Sequence, residues 1–419
     1  VHYEKNWAGN YIYNAAEAYV PDRVDQVQEF VASRSRVKAL GTRHSFNGIA
    51  DTTASHLSLR KLNRVIELDR ANHRVTVEAG MRYGELCGYL HANGYALHNL
   101  ASLPHISVAG ACATATHGSG DRNRNLAAAV HSLELVQGDG TTVAFAKEDP
   151  EHPIEAAVVG LGALGVVVRM TLDVVPAFEM SQEVYEHLPL ARLQDDFDAI
   201  FSSAYSVSLF TDWKRPSFNQ VWLKHKGRAP DERRADFFGA TRAGEKLHPV
   251  PGSGAEPCTE QLGVPGPWHE RMPHFRMEFT PSAGEELQSE YFVSRRDAYA
   301  ALCALDELRD RISPLLFISE VRTIAADESW MSPCYRQDSV AIHFTWKPNW
   351  DAVRVVLPIV EEKLAPFQTR PHWGKLFTME PGKLQPLYPK LPEFRRLIAR
   401  CDPEGKFRND FLETYIIGT

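Results

Sequence analysis

Gly41-Thr42-Arg43-His44-Ser45-Phe46 follows directly on the apolar run Val37-Lys38-Ala39-Leu40, and this junction restricts the chain more than any other segment. A short apolar run closed by glycine reads as a strand ending in a tight turn. The turn sets a nucleophilic imidazole, His44, among backbone amides able to cradle a phosphate. A second segment, Ser107-Val108-Ala109-Gly110-Ala111-Cys112-Ala113-Thr114-Ala115-Thr116-His117-Gly118-Ser119-Gly120, consists almost wholly of small residues. So little side chain suits a bulky group lying against the backbone. Together the two segments point to a large cofactor, with His44 close enough to bond to it. Each also has a plainer explanation. A histidine after a strand is more often merely hydrogen-bonded, and a small-residue run can simply let buried strands pack closely.

With 419 residues, the chain can hold two domains and a full hydrophobic core. An apolar share of 44% and a charged share of 24% are ordinary for a soluble globular protein. Net charge is −7 and the basic residues are dispersed, so nucleic acid is not an expected partner. No apolar stretch approaches the roughly 18 residues needed to span a bilayer, so no membrane partner is expected. The opening residues Val1 to Trp7 carry no apolar signal region, and a cytoplasmic location is expected. Six cysteines are present, none in a CxxC pair or a zinc-like Cys/His cluster. They read as reduced, mostly buried thiols, with no metal site.

The first ~175 residues alternate short apolar runs with turn signals. Pro21-Asp22 opens a helix carrying Val24, Val27, Phe30 and Val31 at helical spacing. Strands are expected at 37–40, 64–69 and 73–78, and a helix from Tyr83 to Asn93 stopping at Gly94. Two further strands, 132–136 and 141–145, flank the hairpin signal Gln137-Gly138-Asp139-Gly140. Gly160-Leu161-Gly162-Ala163-Leu164-Gly165 matches the G-x-G-x-x-G pattern. A dinucleotide site of that type needs a helix next, yet the β-branched run 166–175 reads as a strand, so the pattern is rejected. From ~180, aromatics and prolines become denser, and 227–270 reads as long ordered loops.

Two later strands carry polar residues in alternation. Ser319 to Ile324 puts Glu320 and Arg322 on one face; Ala341 to Trp346 does the same for His343 and Thr345. If adjacent, these strands turn an acid, a guanidinium, an imidazole and a hydroxyl toward one cavity. From spacing alone an ordinary solvated face with a cross-strand ion pair explains them as well. Pro371-His372-Trp373-Gly374-Lys375 adds a basic cluster, equally readable as a surface loop held by its tryptophan.

Taken together, the chain resembles the vanillyl-alcohol-oxidase-type flavoproteins, and within them the aldonolactone-oxidase and alditol-oxidase branch. The matching stretches run along its whole length: Asn6 to Asn10, Gly41 to Asn47, Ala101 to Gly110, Thr116 to Gly120, Ser206 to Trp213, Val264 to Arg271, His343 to Trp346 and His372 to Lys375. The resemblance implies an α+β fold of two domains. An FAD-binding part (1–180) is followed by a cap with a large antiparallel sheet (181–370), and a C-terminal segment (371–419) returns to the FAD domain and active site. It implies FAD linked covalently, through its 8α carbon, to His44. Gly41, Thr42, Arg43, Ser45 and Phe46 would share the phosphate cradle with Ser107, Gly110, Ala111, Cys112, Ala113 and Thr114. His117, Val167, His372 and Ser102 would line the flavin. Relatives often carry Gly-Ser-Gly-His where this chain has Gly41-Thr42-Arg43-His44, so the cradle's geometry is an open point.

The resemblance further places Ser102, Gln288, Glu320, Arg322, Thr345 and Lys375 around the substrate. The implied activity is oxidation of the terminal primary alcohol of an alditol, such as xylitol or sorbitol, to the aldose, with O2 reduced to H2O2. Lys375 and Arg322 would stabilise the developing alkoxide. Glu320 would accept hydrogen bonds from substrate hydroxyls and hold Arg322 by a charge-assisted bond, and His343 would move a proton or orient the polyol. A monomer is expected. A sugar-1,4-lactone oxidase or dehydrogenase, and a non-catalytic flavin- or carbohydrate-binding protein, are the alternatives.

Overall fold

The structure is a computed structural model that describes residues 5–228, 236–279 and 285–418. Residues 1–4, from the opening segment, and 229–235, from the long-loop region, lie outside the described residues. The expected N-terminal elements form. The helix Val24–Ser33 buries Val27, Phe30 and Val31, and Val37–Leu40 joins Ser55–Ser58 and Glu17–Tyr19 in a parallel three-stranded sheet. Beside it lies an antiparallel five-stranded sheet in the order Val65–Asp69, Arg74–Glu78, Val166–Asp173, Val130–Val136, Thr142–Ala146. Gly140 takes φ of 86° in the hairpin, a conformation that favours glycine. The run after Gly165 is a strand, as β-branched residues favour, and no helix N-terminus meets the glycine pattern there.

The small-residue run is partly helical: Val108–Ala113 forms a helix that its weak apolar periodicity did not announce. One consequence corrects the expected cradle. Cys112 points from this helix into the core, fully buried, with its sulfur 3.6 Å from the Tyr83 hydroxyl, so its side chain does not line the cofactor wall.

The second half builds a ten-stranded sheet. Four of its central strands run in the order Ser206–Thr211, Leu316–Ile324, Ser339–Trp346, Leu287–Ser294, each antiparallel to the next. One face is apolar: Val321, Ile342, Phe344 and Trp346 pack with Leu302, Val353 and Leu357 from the helices Ala298–Asp306 and Trp350–Leu364. Apolar residues at every second position force the polar ones onto the other face. The 227–270 region is mainly loop, with short strands at Asp236–Phe237, Ala240–Arg242 and Gly266–Pro267.

The chain then doubles back. The helix Leu391–Cys401 buries Leu391, Phe394, Leu397 and Ile398 in the same core as Val75, Leu133 and Met170 of the five-stranded sheet. In the turn 402–407, Lys406 Nζ donates to Val31 O and Gly138 O. Asn409 Nδ2 donates to Gly48 O, Ile49 O and Asp51 O. Among the described residues no helix is long and apolar enough to cross a membrane.

Candidate active site

A cavity of about 930 Å³ runs between the His44 turn and the polar face of the large sheet. That volume sits near the upper end of the roughly 300–1,000 Å³ typical of ligand pockets. Its two ends are built differently.

At one end the walls are main chain. Gly41 to Phe46, Ser107, Gly110, Ala111, Ala113, Thr114, His117, Val167 and His372 all line the cavity. The amides of Thr42, His44 and Ser45, and those of Ala109 and Gly110 in the first turn of Val108–Ala113, meet no acceptor among the described residues. Neither loop carries a carboxylate. Unengaged N–H groups converging on a cavity are what a diphosphate needs, so these residues fit FAD. Arg43 stands at φ of 64°, so the left-handed turn forms here without a glycine. The guanidinium helps to hold it, Nη1 donating to Lys5 O at 2.9 Å.

His44 is tightly fixed. Its Nδ1 lies 3.0 Å from Thr42 Oγ1, and the Trp7 ring stacks on it at 5.1 Å between centroids. Burial, with His105 and Arg43 adding to it, pushes the imidazole down to about 4, so it is neutral and nucleophilic near pH 7. Trp7 is a contact that spacing could not reveal. The turn is also tied to the basic cluster: Phe46 N donates to Gly374 O at 2.8 Å, and Asn47 Nδ2 donates to Trp373 O and Lys375 O. Thus 371–375 is no surface loop; His372 and Trp373 are both buried.

At the other end the walls are charged side chains. Glu320 pairs in register with His343, and His343 with Glu290 of the next strand, so three titratable groups sit in one row across three strands. Gln288 pairs with Thr345 in the neighbouring row. All six expected substrate contacts, Ser102, Gln288, Glu320, Arg322, Thr345 and Lys375, line the cavity, as does His343. Arg322 Nη1 reaches Ser102 Oγ at 3.4 Å.

Two buried residues absent from the expected set organise this end. Glu290 accepts from Lys375 Nζ at 2.7 Å and from Arg322 Nη2 at 2.9 Å, and lies 3.1 Å from His117 Nε2. His274 Nε2 lies 2.7 Å from Glu320 Oε1. The expected hydrogen bond between Glu320 and Arg322 is therefore corrected. Their closest approach, Nε to Oε1, is 3.5 Å, because Glu320 turns to His274 while Arg322 bonds to Glu290. Gln288 and Glu290 alternate along one strand, a signal legible in sequence; His274, on a loop, offered none.

The electrostatics follow from burial. Desolvation pushes Glu290 up, but Lys375, His117 and Arg322 outweigh it and hold the carboxyl well below its usual range. Glu320 is likewise held low, Arg322 and His274 overcoming burial. Desolvation lowers Lys375, with Glu290 opposing it. Burial and the Lys375 charge push His343 down to about 3. Its Nε2 lies 3.0 Å from Gln288 Oε1, so this nitrogen carries the proton and Nδ1 is an acceptor. A group so hard to protonate can orient a hydroxyl but is poorly suited to storing its proton.

Residues 16–146 match an FAD binding domain family and residues 284–415 match the D-arabinono-1,4-lactone oxidase family. The chain is 49% identical to alditol oxidase from Streptomyces sp. (strain IKD472 / FERM P-14339), over 99% of each chain. It is 28% identical to L-gulono-1,4-lactone dehydrogenase of Mycobacterium tuberculosis over 97% of each. Cholesterol oxidase from B. sterolicum superposes with a TM-score of 0.80 at 14% identity, covering 98% of this chain and 96% of that one. Carbohydrate oxidase from Microdochium nivale does so with a TM-score of 0.77 at 13% identity, covering 99% and 95%. These two likenesses establish the fold. With near-complete coverage at 49% identity as well, the chain belongs to the FAD-dependent oxidoreductases of the vanillyl-alcohol-oxidase type, in their aldonolactone-oxidase and alditol-oxidase branch.

Proposed function

We propose that the protein oxidises the terminal primary alcohol of an alditol to the aldose while O2 becomes H2O2. The observation that carries this is the polar sheet face: Gln288, Glu320, Arg322, Thr345 and Lys375 converge on one cavity with Ser102 opposite. An extended polyol has a hydroxyl at every carbon to satisfy them. A lactone ties one oxygen into its ring and leaves some of these groups unpaired, which is costly when they are buried. The similarity to an alditol oxidase at 49% identity points the same way. The match of 284–415 to a lactone-oxidase family keeps the cyclic substrate as the second reading.

FAD, when bound, would supply the hydride acceptor and the route by which the electron pair reaches O2. The chain's own residues bind, orient and polarise. On this reading Lys375 and Arg322 meet the substrate oxygen as it loses its proton, Glu320 accepts from hydroxyls further along the polyol, and neutral His343 aligns the reacting end. His44 carries the covalent link, a role supported by its cavity position and its neutral, immobilised ring. Residues 1–180 with 371–419 act as the cofactor half and 181–370 as the cap.

Aerobic turnover of xylitol tests the activity: aldose and H2O2 should accumulate in equal amounts, and aldose without peroxide would remove the oxidase assignment. Acid precipitation tests the link. Yellow colour should stay with the wild-type pellet and pass to the supernatant in His44→Ala; a colourless wild-type pellet would end the covalent proposal.

A further inference from the structure

Glu290 has no expected contact with substrate, yet it joins both cations of the substrate end, Lys375 and Arg322, and lies against His117. It is 1% exposed. One oxygen accepts from Lys375 Nζ, and the other accepts from Arg322 Nη2 and lies beside His117 Nε2. Its main chain holds the same loop, His372 N donating to Glu290 O at 2.9 Å. Glu290 therefore fixes both the side chain of Lys375 and the segment that carries it.

We propose that Glu290 is the positioning residue that keeps Lys375 cationic and holds it beside Arg322 where the substrate oxygen acquires charge. The inference rests on Lys375 being the cation that stabilises the alkoxide. Two buried cations in one pocket repel, and each has lost its hydration. Arginine cannot shed its proton, whereas a buried lysine can. The carboxylate between them removes the conflict. The other groups around Lys375 do not replace it. Glu320 is engaged with His274, Glu286 is hydrogen-bonded to Gln288, and His117, His343 and His372 are each held below the usual imidazole range by burial. Burial already lowers Lys375 and Glu290 opposes that, so losing the carboxylate charge lowers it further.

The test is Glu290→Gln in the FAD-loaded enzyme, isosteric but uncharged. Two readouts are followed across the neutral-to-alkaline range. The first is competitive acetylation of Lys375 by acetic anhydride, read by mass spectrometry; only the neutral amine reacts. The second is the rate of anaerobic flavin reduction by xylitol. Labelling of Lys375 should begin about one pH unit or more lower than in the wild type. Above that point reduction should fall about ten-fold per pH unit as the cation is lost. Glu290→Asp keeps the charge with a shorter reach, and its labelling shift should be smaller and of the same sign. Should Glu290→Gln not fold, the aspartate variant decides, and no shift there overturns the proposal. Unchanged labelling and an unchanged pH profile in Glu290→Gln overturn it too. The underlying reading fails separately, if Lys375→Met is reduced at the wild-type rate.

Discussion

The two ends of the cavity solve recognition in opposite ways. One end, the proposed FAD site, presents main-chain amides from 41–46 and 107–114 and keeps side chains small along 107–114. The other, the proposed substrate end, presents long charged side chains, Glu290, Glu320, Arg322 and Lys375, held by one another on a rigid sheet and an adjoining loop. A backbone cradle is indifferent to most side-chain identities and intolerant of bulk. A charge network tolerates little change in identity, because removing one partner strands the other in a dry site. The lesson is that substitutions should separate cleanly: bulk at the first end costs stability and cofactor, charge at the second end costs rate.

The largest effect should come from Lys375→Met. Its charge matters most when the alkoxide forms, so flavin reduction by saturating xylitol should slow about a hundred- to a thousand-fold, roughly 3–4 kcal/mol, with little change in substrate affinity. Stopped-flow reduction measures both, and a loss confined to affinity would break the contrast between the ends.

Next comes Gly80→Ala, on the main-chain side. A methyl group there would sit 2.0 Å from Leu59 O and 2.8 Å from Leu62 O, both backbone atoms unable to swing aside. Overpacking of this kind costs about 1–3 kcal/mol, so the melting temperature and the bound flavin should fall together. The flavin that remains should be reduced at a near wild-type rate per bound FAD.

The smallest effect concerns a feature both halves share. Lys38, on the strand Val37–Leu40, donates to Gly162 O and Phe407 O; Lys224, on the ten-stranded sheet, donates to Arg271 O and Pro273 O. Burial pushes each amine down to about 7. Between there and the ordinary lysine value of roughly 10.4 the unfolded chain binds more protons, so stability rises with pH, by at most about 1.4 kcal/mol per unit for each lysine. Lys38→Met and Lys224→Met should each flatten that rise in urea titrations at successive pH values. A slope unchanged by both would mean the buried lysines keep their protons.

Sequence revealed the two ends unequally for the same physical reason. The His44 turn and the small-residue wall are local, so adjacent residue types expose them. The strand alternation that pairs Glu320 with Arg322 and His343 with Thr345 is local too, and its register follows from the apolar face. Glu290 was legible by the same period-two rule, since Gln288 and Glu290 share a face of the strand Leu287–Ser294. His274, Trp7 and the fastening of Lys406 to Val31 and Gly138 depend on loops meeting across the fold. No spacing encodes them. Cys112 shows the limit from the other side: a small residue in the right segment faces the core, because the segment turns helical and a helix has an inside.

Anaerobic reduction of the enzyme-bound flavin by xylitol and by an aldono-1,4-lactone, compared as kcat/KM, tests the central claim most directly. The polar sheet face predicts rapid bleaching by xylitol and a preference over the lactone on the order of 10⁴. Equal values, or bleaching by the lactone alone, would contradict it and make the cyclic sugar lactone the substrate for which this cavity is built.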